Sequence, residues 1–148
     1  MSRLYDPSGE PWNTGAATCM LPSAFNSFFV RAQFEAGRPT LSLMDTGAPV
    51  TILGCRLADM AGVKGTGRVT DLDIVWASYS GRMGRCALKI EGDIWGDDLI
   101  LQADIVVVDG WDRYPILGLK GVLDSIRFAL DQPQNKSSKG VLMFAPLA

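Results

Sequence analysis

Residues 43–53 read Leu43-Met44-Asp45-Thr46-Gly47-Ala48-Pro49-Val50-Thr51-Ile52-Leu53. Because apolar, strand-like residues flank Asp45 on both sides, we expect this aspartate at the end of a buried strand. Gly47 permits a tight turn and lets a backbone N–H approach the carboxylate. The hydroxyl of Thr46 can form a hydrogen bond that fixes the same loop. The pattern therefore predicts a carboxylate that a short, rigid turn directs into a cleft.

Short strand-like segments surround this motif. Residues 28–35 and 40–44, joined by a Gly-Arg-Pro turn, indicate a hairpin, and residues 99–108 indicate a buried strand. Residues 56–61, followed by Gly62, indicate a short helix, and residues 119–125 suggest a second one. Many short strands with one or two short helices predict an all-β domain that forms a closed or partly open barrel.

Composition divides the chain into three parts. Residues 1–22 are rich in Pro, Gly, Ser and Thr, and we interpret them as an N-terminal arm that is irregular or ordered by packing on something else. Residues 23–131 form the predicted domain. Residues 132–148 are interpreted as a polar linker followed by a C-terminal strand that could lie at an interface between two copies of the chain. The start of the chain lacks the basic and apolar runs of a secretory signal.

Charge and cysteine content exclude several classes of function. The 148 residues carry a formal net charge of −2, which gives no basic surface for nucleic acid or anionic lipid. The sequence contains no apolar run long enough for a transmembrane helix. The three cysteines are widely spaced and odd in number, which favours reduced thiols and a cytoplasmic protein.

The absence of histidine is the most restrictive feature of the composition. It removes Ser-His-Asp and Cys-His catalysis and histidine-ligated zinc sites. We therefore expect no metal and no cofactor. Chemistry in this chain must come mainly from carboxylates, lysine, tyrosine, hydroxyls or the backbone.

Residues 43–53, together with Pro115-Ile116-Leu117-Gly118, resemble the two signatures of retropepsin-like aspartic proteases. The resemblance covers roughly residues 27–131 and implies an acid-protease β-barrel that acts as a homodimer on a protein or peptide substrate. It makes Asp45 the catalytic residue, with Thr46, Gly47 and Ala48 supporting its loop. The second signature comprises Ile116, Leu117 and Gly118.

Aspartic proteases use two carboxylates that share a proton, one as general base for water and the other as general acid. The chain has a single Asp-Thr-Gly, and 148 residues are too few for two full lobes. The second carboxylate is therefore expected from Asp45 of another copy, related by a twofold axis.

The resemblance also implies a flap that closes over an extended peptide. We assign it to the turn-like segment Tyr79, Ser80, Gly81, Arg82, Met83 and Gly84. The chain departs from retroviral members at Pro49, where they carry an acidic residue, and at Leu119, where they carry arginine. Because both positions are apolar here, a charge pair has been lost as a unit and no unpaired partner remains.

Other interpretations compete with this one. Asp-Thr-Gly alone is a common turn tripeptide, and the Asp-rich loops are typical of solvated turns. Trp76, Trp95 and Trp111 could line a peptide groove, but packing is the favoured interpretation for any one of them. The fold also permits a non-catalytic dimerisation or peptide-binding module, or an enzyme that matures only its own precursor. The sequence does not identify the substrate.

Overall fold

The computed structural model describes residues 8–9, 15–19, 27–74, 77–131 and 140–147, with the backbone alone at 15–19 and at Ile74. Within these residues the chain is mostly β, with one α-helix, α1, and one 3₁₀ turn. In chain order the elements are β1 Gly15–Cys19, β2 Phe28–Phe34, β3 Thr40–Met44, β4 Ile52–Gly54, α1 Cys55–Ala61, β5 Gly65–Ile74, β6 Ala77–Ile90, β7 Leu99–Val108, β8 Ile116–Leu117, the 3₁₀ turn Leu123–Ser125, β9 Ile126–Asp131 and β10 Gly140–Pro146.

Six strands form a closed ring, which confirms the predicted all-β, barrel-like class. The order along the main sheet is β2-β3-β8-β4-β7-β6-β5, and β2 also pairs with β6 through Gln33–Lys89 and Phe34–Leu88. The sheet is mixed, since β8 runs parallel to β3 and antiparallel to β4 while β4 runs parallel to β7. Strand β8 thus lies between β3 and β4, which are consecutive in the sequence.

The interior of the ring holds the main core. Val30, Ala32 and Phe34 alternate inward along β2, as a half-buried strand requires. The side chains of Ala103, Ile105 and Val108 on β7 are fully buried. The bounds of β7 and of α1 agree with the sequence predictions to within one residue.

Helix α1 ends where the sequence indicated. Gly62 adopts a left-handed conformation, with φ of 78°, and its N–H donates to the carbonyl of Asp59. Ala58 and Ala61 are buried against the barrel, so small side chains let the helix approach the strands closely. None of the helices in the described ranges is long and apolar enough to cross a membrane.

A second, three-stranded sheet joins the first and the last strand of the described chain, in the order β1-β10-β9, and both pairings are antiparallel. Part of the predicted N-terminal arm is therefore a strand that pairs with the C-terminal strand. No local periodicity predicts β1, because its register is set by a partner at the far end of the chain. The predicted linker, at 132–139, lies outside the described residues.

The turn predicted at residues 80–84 is wrong. Ser80, Arg82 and Met83 lie inside β6, which pairs with β5 on one side and β7 on the other. Gly81 and Gly84 serve close packing here, since a Cβ at Gly81 would lie 2.8 Å from the carbonyl oxygen of Val107. The connection between β5 and β6 falls at residues 75–76, outside the described residues.

The second helix predicted over residues 119–125 shortens to the 3₁₀ turn Leu123–Ser125. The segment before it is held by the loop that follows β3. Leu119 donates its N–H to the carbonyl of Ala48, and Lys120 donates to Pro49. Gly121 has φ of 105°, far outside the helical range, so the backbone cannot run as one helix from residue 119 to residue 125.

Candidate active site

Asp45 is the first residue after β3 and is held by the backbone of β8. Its N–H donates to the carbonyl of Leu117 at 3.2 Å, and its own carbonyl accepts from Ala48 at 3.1 Å. The second bond closes a tight turn over residues 45–48. The end of a strand and a turn therefore fix the backbone that carries the carboxylate.

The carboxylate of Asp45 is directed by Gly47. Oδ1 of Asp45 accepts a hydrogen bond from the N–H of Gly47 at 2.9 Å, as the sequence pattern predicted. A Cβ at position 47 would lie 3.2 Å from Oδ1, so glycine allows this close approach. Within the described part of the chain no donor binds Oδ2. Asp45 is half-buried, which leaves this oxygen available to a ligand.

Thr51 connects the loop of Asp45 to the second signature. Its buried hydroxyl accepts from the N–H of Gly118 at 3.1 Å and donates to the carbonyl of Lys120 at 3.1 Å. The backbone of Thr51 also donates to Lys120 and accepts from Val106. This one residue, directly before β4, thus links β7 and the segment after β8 through its backbone and its side chain.

Gly118 is required by the close approach of two backbones. A Cβ at this position would overlap the carbonyl of Val50 and lie 2.9 Å from the carbonyl oxygen of Ala48. The residues of the two predicted signatures, 45–48 and 116–118, are therefore brought into one compact assembly. Their spatial relation is the arrangement expected of a rigid catalytic loop.

A groove of about 970 Å³ opens beside Asp45. Its lining is mainly apolar and comes from the loop of Asp45, β3, β4, α1, β5, β8 and the segment before β8. The lining includes Leu43, Val50, Ile52, Leu72, Trp111 and Tyr114. Such a groove suits an extended peptide with apolar side chains.

Aromatic contacts build one wall of this groove. The indole N–H of Trp111 donates to the carbonyl of Tyr114 at 3.0 Å. Trp111 packs edge-on against Tyr79 at 5.2 Å between ring centroids, and Tyr114 packs edge-on against Phe29 at 4.7 Å. The wall is therefore held in place from two strands, although Tyr114 keeps 53% of its surface exposed.

The residues predicted as a flap separate into two groups. Tyr79 reaches the groove wall through Trp111, whereas residues 80–84 do not line the groove. Leu72 and Asp73 of β5 line it instead. The misplaced turn caused this difference, because β6 begins already at Ala77 and the positions that line the groove lie in β5.

Tyr114 was not among the predicted site residues, and for Trp111 the sequence favoured packing over a place in the groove. Trp111 does both, since its side chain is only 7% exposed and still contributes to the lining. The signal that could have identified Tyr114 is its place directly before Pro115 and the second signature. Trp76 lies outside the described residues.

Pro49 and Leu119, the two positions that depart from the retroviral pattern, lie close together. The backbone N–H groups of Leu119 and Lys120 donate to Ala48 and Pro49 in succession. Leu119 is 45% exposed, so an apolar side chain lies at the surface at the position that carries arginine in retroviral members. Among the residues that the structure describes, no group of three or more His, Cys, Asp or Glu side chains could hold a metal ion.

Comparison with known proteins gives a likeness of structure but no match to a sequence family. A scan against protein-family models finds no match, and a search of curated proteins finds no relative. Among solved structures, the chain is similar to a crystal structure of a retropepsin-like aspartic protease from Rickettsia conorii. The TM-score is 0.48 and the sequence identity 16%, over 98% of this chain and 100% of that chain. Function is therefore argued from the residues of this chain itself.

Proposed function

We propose that this chain is an aspartic endopeptidase of the retropepsin type that acts as a homodimer. The observation that carries the proposal is the Asp45 carboxylate, fixed by the N–H of Gly47 at 2.9 Å beside a large apolar groove. A preorganised carboxylate with one free oxygen is the half-site that this chemistry requires. The substrate class is an extended peptide with apolar side chains near the cleaved bond.

The second carboxylate is assigned to Asp45 of another copy. The other carboxylates in the groove lining are Asp73 and Asp112, and Asp73 already accepts a hydrogen bond from the hydroxyl of Ser78 at 2.8 Å. Neither lies in a strand-end turn like that of Asp45. A twofold axis beside Asp45 would supply an identical group in a related position.

The reaction follows from two carboxyl groups that share one proton. The ionised carboxylate takes a proton from water, whose oxygen attacks the peptide carbonyl carbon while the protonated carboxyl donates to the carbonyl oxygen. The tetrahedral intermediate then collapses. The C–N bond breaks, the leaving amine receives a proton, and the pair returns to its singly protonated state. The titration belongs to the pair, with activity expected on the acidic side of neutrality.

The direct experiment compares Asp45→Asn with Asp73→Asn and Asp112→Asn. Each variant is incubated with a diverse peptide library between pH 4 and 7, and products are identified by mass spectrometry. We expect Asp45→Asn to lose cleavage by at least about 1,000-fold while the other two retain it. Loss of cleavage in Asp73→Asn or Asp112→Asn alone would instead indicate a carboxylate pair within one chain.

Subunit mixing tests the shared site. In equal mixtures of wild type and Asp45→Asn after exchange, about one quarter of dimers carry two intact copies, so activity should fall to about one quarter. A fall to one half would indicate independent chains.

Peptides that bind but are never cleaved by the wild type would favour the peptide-binding module. Cytoplasmic location stays a prediction from the sequence.

A further inference from the structure

The strand β9 lies at one edge of the three-stranded sheet, directly beside the candidate half-site. Within the described residues β9 pairs with β10 alone. Phe128 and Leu130 of β9 line a notch of about 360 Å³ together with Asp45 and Thr46. A partner that covers this edge would therefore stand next to the carboxylate.

The middle strand of the sheet is not available for such a partner. Strand β10 pairs with β1 on one side and β9 on the other, so both of its edges are satisfied. Within this sheet, the edges left open among the described strands are those of β1 and β9. The sequence of β1, Gly15 to Cys19, carries no charge that could select a register, whereas β9 carries one at each end.

The charges of β9 are placed symmetrically. The strand reads Ile126-Arg127-Phe128-Ala129-Leu130-Asp131, with Arg127 and Asp131 each two residues from Ala129 and both exposed. In an antiparallel pair of identical strands centred on Ala129, Arg127 faces Asp131 of the partner subunit and Phe128 faces Leu130 of the partner subunit. Both kinds of cross-strand pair stabilise a sheet.

We propose that β9 pairs antiparallel with β9 of a second copy, in the register centred on Ala129. Two Arg127–Asp131 ion pairs then select this register. A pair centred on Arg127 would place arginine opposite arginine, and one centred on Asp131 would place carboxylate opposite carboxylate, which is destabilising. The result is one six-stranded sheet in the order β1-β10-β9-β9-β10-β1. An exposed strand edge is a template for pairing with another chain, and this pairing covers it.

This inference rests on the proposed function, because it supplies the second copy that the half-site needs. It differs from the sequence prediction that placed residues 132–148 at the interface. Here β10 is the central strand of each subunit's own sheet and pairs with β9 on the side away from the partner subunit. The interface is then formed by one strand from each subunit, beside Asp45 and Thr46.

Cysteine cross-linking tests the register. Directly opposed residues in an antiparallel pair have Cα atoms about 4.5–5.5 Å apart, within the range of a disulfide. In a background with Cys19 and Cys55 changed to serine, we expect Ala129→Cys to form a disulfide-linked dimer on oxidation. Arg127→Cys should not link to itself, since the two copies lie about 13 Å apart along the strands. A mixture of Arg127→Cys and Asp131→Cys chains should link.

Charge reversal tests the ion pairs, with the dimer dissociation constant measured by analytical ultracentrifugation. Arg127→Asp should raise that constant about tenfold at low salt, because two attractions become two repulsions. Arg127→Asp combined with Asp131→Arg should restore it to within about threefold of the wild type. The matched control is Arg56→Asp, which reverses an exposed arginine on α1 and should leave dimerisation unchanged. The effects should weaken in 1 M salt.

The possible results separate this inference from the proposed function. A dimer that cleaves peptides, yet neither links through Ala129→Cys nor responds to charge reversal, overturns the β9 interface and leaves the protease assignment standing. A dimer that links through Ala129→Cys but cleaves nothing supports the interface and overturns the protease assignment. Self-linking of Arg127→Cys without linking of Ala129→Cys overturns the register.

Discussion

The hydroxyl oxygen of Thr51 lies 3.1 Å from the backbone nitrogen of Gly118 and accepts a buried hydrogen bond from it. This bond joins the loop of Asp45 to the second signature, 67 residues further along the chain. The same hydroxyl donates to the carbonyl of Lys120, so it acts as both a hydrogen-bond donor and an acceptor. The orientation of Asp45 therefore depends on a residue that does not itself face the groove.

Thr51→Val tests this link with little change in volume. The N–H of Gly118 would remain buried without an acceptor, so we expect a loss of about 1–3 kcal/mol in the free energy of unfolding. Urea denaturation measures it. Thr51→Ser keeps the hydroxyl and loses one methyl group, which should cost about 1 kcal/mol. Equal stability of Thr51→Val and wild type would contradict the proposed importance of the bond.

Gly118→Ala should lower the free energy of unfolding far more than the same replacement at Gly110. The new methyl group would overlap the carbonyl of Val50, so the loop of Asp45 must move, at a cost above about 3 kcal/mol, with loss of cleavage. The matched control is Gly110→Ala. Gly110 has φ of 73° and nothing within 4 Å of an added Cβ, so only backbone strain of about 1 kcal/mol is expected. Thermal unfolding of both variants, scored against the wild type, checks the contrast.

Cys86 should make stability depend on pH in the alkaline range. Burial, and secondly the negative charge of Glu35, raise the pKa of the Cys86 thiol from 9.0 to about 11. Between these values the unfolded chain releases a proton that the native chain keeps, so unfolding becomes more favourable as pH rises. The contribution of the thiol is complete below pH 9 and is lost as pH rises towards about 11.

Urea midpoints of wild type and Cys86→Ala, measured from pH 8 to 10.5, isolate this effect from other titrating groups. We expect the advantage of the wild type over the variant to shrink as pH rises. A constant difference across this range would show that the native thiol has an ordinary pKa. The buried thiol should also react with iodoacetamide more slowly than Cys55, which is half-buried.

Tyr114→Ala should weaken peptide binding more than it slows catalysis. Tyr114 presents an exposed ring on the groove wall, so we expect KM to rise about three- to tenfold with kcat within about twofold. Tyr114→Phe should behave as the wild type, since the packing against Phe29 survives. Ile100→Ala removes a 68% exposed apolar side chain outside the groove and serves as the control. A fall in kcat alone would place Tyr114 nearer to the chemistry.

The local parts of the fold and site were predictable because the signals lay within a few residues. The strand before Asp45, the turn at Gly47 and the helix stop at Gly62 are of this kind. The turn predicted at Gly81 was wrong because glycine is needed there for a different reason. A side chain at this position would collide with Val106 and Val107 on the neighbouring strand. Strand β1 and the aromatic wall at Tyr114 depend on distant partners, which local pattern cannot supply.

The position of β8 between β3 and β4 has a consequence for the order of events during synthesis. The Asp45 motif leaves the ribosome early, but the strand that belongs beside it, Ile116–Leu117, follows some 70 residues later. A nascent chain that stops short of Gly118 holds the Asp45 motif without the backbone that shapes it. Under the proposed function, competence for cleavage would therefore arise only near completion of the domain, and an unfinished chain would not cleave other proteins.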